Sequence, residues 1–184
     1  MTMNIGSTAE EQKRIDTLIE FMGEHINSEI VWELKQRGFF IAPASINHHG
    51  QYEGALFDHS YEVAKALVNM TEKLGLKWEN ERSPYIVGMF HDLCKMDNYK
   101  ATPKGEYPYE YNNDTLLKGH GVKSVMLLSQ FYSLTTEEIA CVTYHMGAFT
   151  PKEEWRDFTG AVNKYPNVLW THTADMIASH VEGV

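Results

Sequence analysis

Five ionisable residues of this chain, His59, His91, His120, His145 and Asp175, fall where the surrounding apolar pattern marks an interior, and Asp92 adjoins one of them. Burying a single polar group without a partner costs about 2–7 kcal/mol, and an isolated charge costs far more. A fold that turns all six inward must therefore pair them with one another or with something they bind in common. That demand limits the folds open to the chain more than any other feature.

The periodicity around these residues is helical. A first helix is predicted over about residues 8–26, where Ile15, Leu18, Ile19 and Met22 share a face behind a Ser-Thr cap region, and a second over 28–37, ended by Gly38. Residues 39–54 contain Pro43, Gly50 and Gly54 without a sustained period and read as a loop. Helix resumes over 55–74, with His59, Val63, Ala66, Leu67 and Met70 on one side and Gly75 as the stop. Ser83-Pro84 reads as a cap followed by proline at the first helical position, and Ile86, Val87, Phe90 and His91 face inward after it. Residues 96–118 read as an excursion loop with one helical turn. Helices are then expected over 119–131, carrying His120, after the Thr135–Glu138 capping signal, carrying His145, and over 167–182, carrying Asp175. The expected fold class is all-α: one domain over 1–184, in which N-terminal helices (1–42) pack on a helical bundle (43–184) holding the six residues in its core.

Composition narrows the function. An apolar fraction of 43% with 22% charged residues in 184 positions suits one packed domain. A formal charge of −9 disfavours tracking of long nucleic acid, which draws on clustered Lys and Arg, so no extended nucleic-acid surface is expected and a small substrate is. No run of about 20 apolar residues is present to span a bilayer, and the N-terminus lacks a signal-peptide core, so the expectation is a cytoplasmic protein without membrane contact. Homo-oligomerisation is compatible with the sequence. Cys94 and Cys141 are far apart in apolar contexts and read as reduced, packed thiols.

Neutral imidazole and carboxylate are good ligands for Mn, Fe, Co, Ni or Zn, and bundle cores recurrently assemble two-metal centres from facing helices. Successive residues on a helix point about 100° apart, so His91 and Asp92 reach one site together only at its rim or at a helix end. An Asp92 that bridges two ions satisfies this. Any one of these histidines alone is more simply a hydrogen-bonded core residue; six in order on suitably phased helices point to a metal centre.

The order of His59 in FDHS, His91-Asp92 in FHDLCK, His120 in KGHG, His145 in YHMG and Asp175 in THTADMIASH resembles the ligand pattern of the HD superfamily of metal-dependent phosphohydrolases, over roughly residues 47–180. The wording of these stretches, with HHGQYEGALFDHS, is most similar to the HD domain of YhaM-type 3′→5′ exoribonucleases. The resemblance implies two divalent metal ions, one held by His59, His91, Asp92 and Asp175 and the other by Asp92, His120 and His145. It also implies hydrolysis of a phosphoester, of a nucleotide or short nucleic acid, by a metal-bridging hydroxide. Lys95 matches the lysine that commonly follows the HD pair and is expected to act beside Asp92 in catalysis and to clamp a substrate phosphate. Cys94 stands where relatives usually have glycine. His48 and His49 resemble a histidine pair upstream of the first ligand, and His49 is expected to line the substrate pocket.

Tyr99 is expected to contact substrate too: it opens a loop crowded with Lys100, Lys104, Tyr107, Tyr109 and Tyr111, and aromatics interleaved with lysine can stack a base and hold a phosphate. His25, His172 and His180 match no ligand position and are expected at the surface or in packing, with His172 one turn from Asp175 as a supporting partner. Two other classes share the ligand order: mixed-valence di-iron oxygenases that resemble myo-inositol oxygenase, and HD modules that bind a nucleotide without turnover.

Overall fold

A computed structural model describes residues 8–46, 50–102, 109–117 and 119–183. Helix α1 (Ala9–Met22) begins where the Thr8 hydroxyl accepts from the Glu11 amide at 3.1 Å, and it closes at Gly23 in a short 3₁₀ turn rather than running on to residue 26. Helix α2 (Ser28–Gln36) is capped by the Asn27 side chain. The predicted loop that follows is not a bystander. Phe39 and Phe40 are wholly buried there and pack with Phe57 and Phe90, ring centroids 5.4–6.0 Å apart.

Helix α3 (Ala55–Leu74) lies between left-handed glycines, Gly54 and Gly75, and packs against α4 (Ser83–Phe90), α9 (Asn167–Ile177) and α1. Ser83 is the first helical residue and not a cap: its hydroxyl donates to buried Glu138 at 2.9 Å. Helix α5 (Lys95–Asn98) is the single turn expected in the excursion. It leads into a short antiparallel pair absent from the all-α expectation, β1 (Tyr99–Ala101) with β2 (Tyr109–Tyr111). The molecule remains mostly helical, as predicted. Helices α6 (Gly121–Leu128), α7 (Thr136–Thr143) and α8 (Trp155–Lys164) complete the set; α7 starts with the predicted capping box, the Thr135 hydroxyl accepting from the Glu138 amide and Glu138 accepting from that of Thr135. Beyond α9 the chain widens into a π-helical turn, Ala178–Glu182.

Ile15, Leu18 and Leu34 from the N-terminal helices join one hydrophobic core with Leu56, Val63, Ile86, Val142 and Val168. Three buried charged residues brace it. Lys123 pairs with Asp97 and donates to Asn98 at 2.7 Å and Thr115 at 3.0 Å, tying α6 to the excursion. Glu137 accepts from the Glu79 amide and from Asn167, joining α7 to the start of α9. Glu138 completes the cap and holds Ser83.

The α3–α4 crossing sets the distance between His59 and His91, and it is close because Gly88 has no side chain: a Cβ there would lie 2.5 Å from the Ala64 Cα. Gly88→Ala is expected to destabilise the fold by about 1–3 kcal/mol through overpacking. Gly160→Ala, in exposed α8 with open space around it, is expected to be neutral or to stabilise by up to ~1 kcal/mol. Denaturant midpoints check both; a Gly88→Ala midpoint equal to the parent's would contradict the close crossing.

Candidate metal centre

All six residues converge, with one difference from the expectation. His59 and Asp175 project from within α3 and α9, but His91, His120 and His145 stand at helix ends: His91 caps the C-terminus of α4, His120 precedes α6, and His145 follows α7 by two residues. The last turn of a helix leaves carbonyls without intrahelical donors. His91 Nδ1 donates to the Gly88 carbonyl at 2.8 Å, and His145 Nδ1 donates to the Val142 carbonyl at 2.7 Å. A carbonyl only accepts, so both Nδ1 atoms carry a proton, and in the neutral tautomer that this selects, each Nε2 turns a lone pair to the interior. Those two Nε2 atoms are buried and make no hydrogen bond among the described residues.

Asp92 lies at the centre, 2% exposed. Its two oxygens face different neighbours. Oδ2 lies 3.7 Å from His59 Nε2, 3.5 Å from His91 Nε2 and 2.6 Å from Lys95 Nζ, while Oδ1 lies 2.7 Å from His120 Nε2 and 3.4 Å from His145 Nε2. Asp175 Oδ1 is 3.3 Å from His59 Nε2. The candidate ligand atoms form groups in which all lie within 4.8 Å of one another: His59, His91 and Asp175; His91, Asp92 and His145; and Asp92, Cys94 and His120.

The electrostatics follow from this packing. Burial pushes His91 down to about 4, so its ring is neutral at pH 7. Burial opposes ionisation of Asp92, but Lys95, His91 and His120 outweigh it and hold the carboxyl well below its usual range. For Asp175 too burial works upward, and the His59 hydrogen bond together with the charges of His91 and His59 more than offsets it. His120 is pushed up to about 10, because the Asp92 carboxylate outweighs the desolvation of its ring. Burial disfavours the Lys95 ammonium, yet Asp92 retains it. Asp92 thus concentrates positive charge around itself. Imidazole nitrogens with inward lone pairs, carboxylates and a strong pull on cations fit a divalent metal, which would take the place of the His120 proton.

Two supporting contacts concern residues outside the six. The His120 Nδ1 lies 3.3 Å from the Cys94 sulfur, so this buried, free thiol touches the centre rather than merely filling the core. His172 Nδ1 donates to the His145 carbonyl at 2.9 Å, and its ring lies where a Cβ on Gly147 would fall, 2.3 Å away; Gly147 also holds a positive φ of 53°. The glycine of YHMG is required on both counts. Spacing one turn before Asp175 singles out His172 in the sequence; nothing there points to a Cys94 contact.

A cleft of about 750 Å³ opens onto His59, Asp92, His120 and Asp175. Lys95 and Tyr99 line it, and His49 lies outside the described residues. Tyr111, Phe149 and His180 also line it; His180, expected at the surface or in packing, is exposed at this wall. A groove of about 530 Å³ beside Phe21, Lys65 and Met70 contains none of the six. No helix among the described residues is long and apolar enough to cross a membrane.

Comparison with known proteins agrees with this geometry. Over 117 residues, 60% of this chain, the sequence is 31% identical to the dihydroneopterin 2′,3′-cyclic phosphate phosphodiesterase of Methanocaldococcus jannaschii. The match spans 44% of that relative, so the chain corresponds to less than half of it. No solved structure gave a significant match. Residues 56–169 match the HD domain, a stretch that includes five of the six converging residues and most of the chain, and the protein belongs to the HD domain family.

Proposed function

We propose that the cluster holds two divalent cations bridged by Asp92 and that the chain hydrolyses a small phosphodiester. The observation that carries this reading is the division of Asp92: one oxygen faces His59 and His91, the other His120 and His145. With Asp175 beside His59, this division supports sets of four and three ligands that share Asp92. Divalent cations bound there would supply a water nucleophile at neutral pH and offset the charge that builds on the phosphoryl oxygens. The shared core of the N-terminal helices and the bundle supports treating the chain as one domain.

The chain's own residues do the rest. The Nδ1–H bonds of His91 and His145 hold both rings in one tautomer before anything binds. Lys95 spends one N–H on Asp92 and stays charged at the cleft wall, leaving two donors for a phosphate oxygen of the substrate. Helix ends and buried ring contacts fix the donors in advance, which lowers the cost of organising them around charge.

For the substrate, the motif wording pointed toward an exoribonuclease domain, and the comparisons do not support that narrower likeness. The relative's name is that of an enzyme acting on a cyclic phosphodiester, and the net charge of −9 disfavours a long polyanion. Both favour a small phosphodiester, of a nucleotide or a pterin, over an RNA chain.

His91→Ala and Asp92→Ala are each expected to lose at least one metal per chain by elemental analysis; unchanged content would sink the ligand assignment. His172→Phe, which removes the donor to the His145 carbonyl, should weaken metal affinity by about 10–100-fold while the helical circular dichroism stays that of the parent. An anaerobic panel of nucleotides, cyclic nucleotides and short RNA, run with Mn, Co or Ni, is expected to release product from the small phosphodiesters. Turnover that needs iron and consumes oxygen would instead establish the oxygenase reading, and metal retention without any turnover the binding-module reading.

A further inference from the structure

The cleft has an ionised end and an aromatic one. Beside Asp92, His120, Asp175 and Lys95 it is lined by Tyr111 and Phe149, which come from different segments and are 54% and 65% exposed. Single exposed aromatics are ordinary on protein surfaces. Two of them line one cleft that also reaches the clustered histidines and carboxylates.

Tyr111 is held for such a task. It pairs with Tyr99 across the two strands, their ring centroids 5.5 Å apart. The strands are anchored where Asn112 donates to the main-chain carbonyls of Asn98 and Asp97, both at 2.9 Å, and where buried Lys123 grips Asp97 and Asn98. A ring presented on a braced scaffold loses little freedom when it binds. A cleft of about 750 Å³ accommodates a nucleoside-sized group with its phosphate.

We propose that Tyr111 and Phe149 form a ring-recognition subsite that selects phosphodiesters carrying a planar heteroaromatic ring, a nucleobase or a pterin, over ring-free ones. The flat face of such a ring stacks on an aromatic side chain whatever its hydrogen-bonding pattern, so the subsite sets the substrate class and not one base. This inference rests on the phosphodiesterase reading for its turnover assay, and a binding assay separates the two.

The test uses the metal-loaded protein and its Tyr111→Ala and Phe149→Ala variants, with Tyr111→Phe and Phe149→Tyr as stacking-competent controls. In the turnover arm, kcat/KM is compared for adenosine 2′,3′-cyclic phosphate, dihydroneopterin 2′,3′-cyclic phosphate and methyl riboside 2′,3′-cyclic phosphate, which lacks a heteroaromatic ring and is the ring-free substrate in that sense. The parent is expected to prefer at least one ring-bearing substrate, and each alanine variant to reduce that preference by about 10-fold, mainly through KM, with the aromatic controls restoring it. The two ring-bearing substrates tell a nucleobase from a pterin. Equal turnover of ring-free and ring-bearing substrates by the parent, or a preference untouched by both alanine variants, overturns the proposal and leaves the phosphodiesterase reading standing. In the binding arm, calorimetry compares adenosine 5′-monophosphate and neopterin monophosphate with ribose 5-phosphate. Ring-dependent binding that both alanine variants weaken, without turnover of any substrate, sinks the phosphodiesterase reading and upholds the subsite; binding indifferent to the ring overturns the subsite.

Discussion

Asp92 brings a carboxylate into the middle of a helical bundle, and the cost of keeping it charged there shapes what surrounds it. Lys95 contacts one oxygen at 2.6 Å and His120 the other at 2.7 Å, while His59, His91 and His145 stand within 3.7 Å. Removed from water, such a group is tolerable only when positive charge or strong donors replace its hydration. The same pull that compensates the carboxylate suits the cluster to a cation. Stability and chemistry here have one origin.

The architecture serves that arrangement through helix ends. A side chain in mid-helix is committed to one face, whereas a residue at a terminus can turn its ring toward the axis and use an unpaired backbone carbonyl to fix it. His91 and His145 do this with the carbonyls three residues before them. Close crossings bring these ends together. Gly88 lets α4 lie on Ala64 of α3, and Gly121 lets α6 approach the Thr143 carbonyl at the end of α7, where a Cβ would fall 2.1 Å from the oxygen. Buried Glu137 and Glu138 lock α7 to the start of α9 and to Ser83 of α4, so the elements that carry the cluster are cross-braced by polar contacts as well as by the apolar core.

How much of this was legible depended on length and on pattern. Helix α3 runs from Ala55 to Leu74 as predicted, because twenty residues of sustained period lie between two glycines. The convergence of five of the six residues was legible for the same reason, since each sits in phase with an apolar stripe; Asp92 was legible through its place beside His91 in the ordered pattern. The exact placing of His120 and His145 was not, because periodicity cannot separate the last turn of a helix from the turn after it. The paired strands were missed because Tyr99–Ala101 and Tyr109–Tyr111 are three residues each, too short to show an alternating pattern. Lys123 carries no signal in the sequence, because its partners, Asp97, Asn98 and Thr115, reach it only through the fold of the excursion. Phe149 carries no motif and His180 matches no ligand position, and only the shape of the cleft brings them to the site.

The claim on which the rest depends is that Asp92 is shared between two cations. Titrating metal-stripped protein with Mn(II) while recording its electron paramagnetic resonance tests that sharing directly, since two ions joined through one carboxylate couple their spins. Two equivalents per chain with an exchange-coupled spectrum is the predicted result. One equivalent, or two whose spectra remain those of isolated ions, would contradict it.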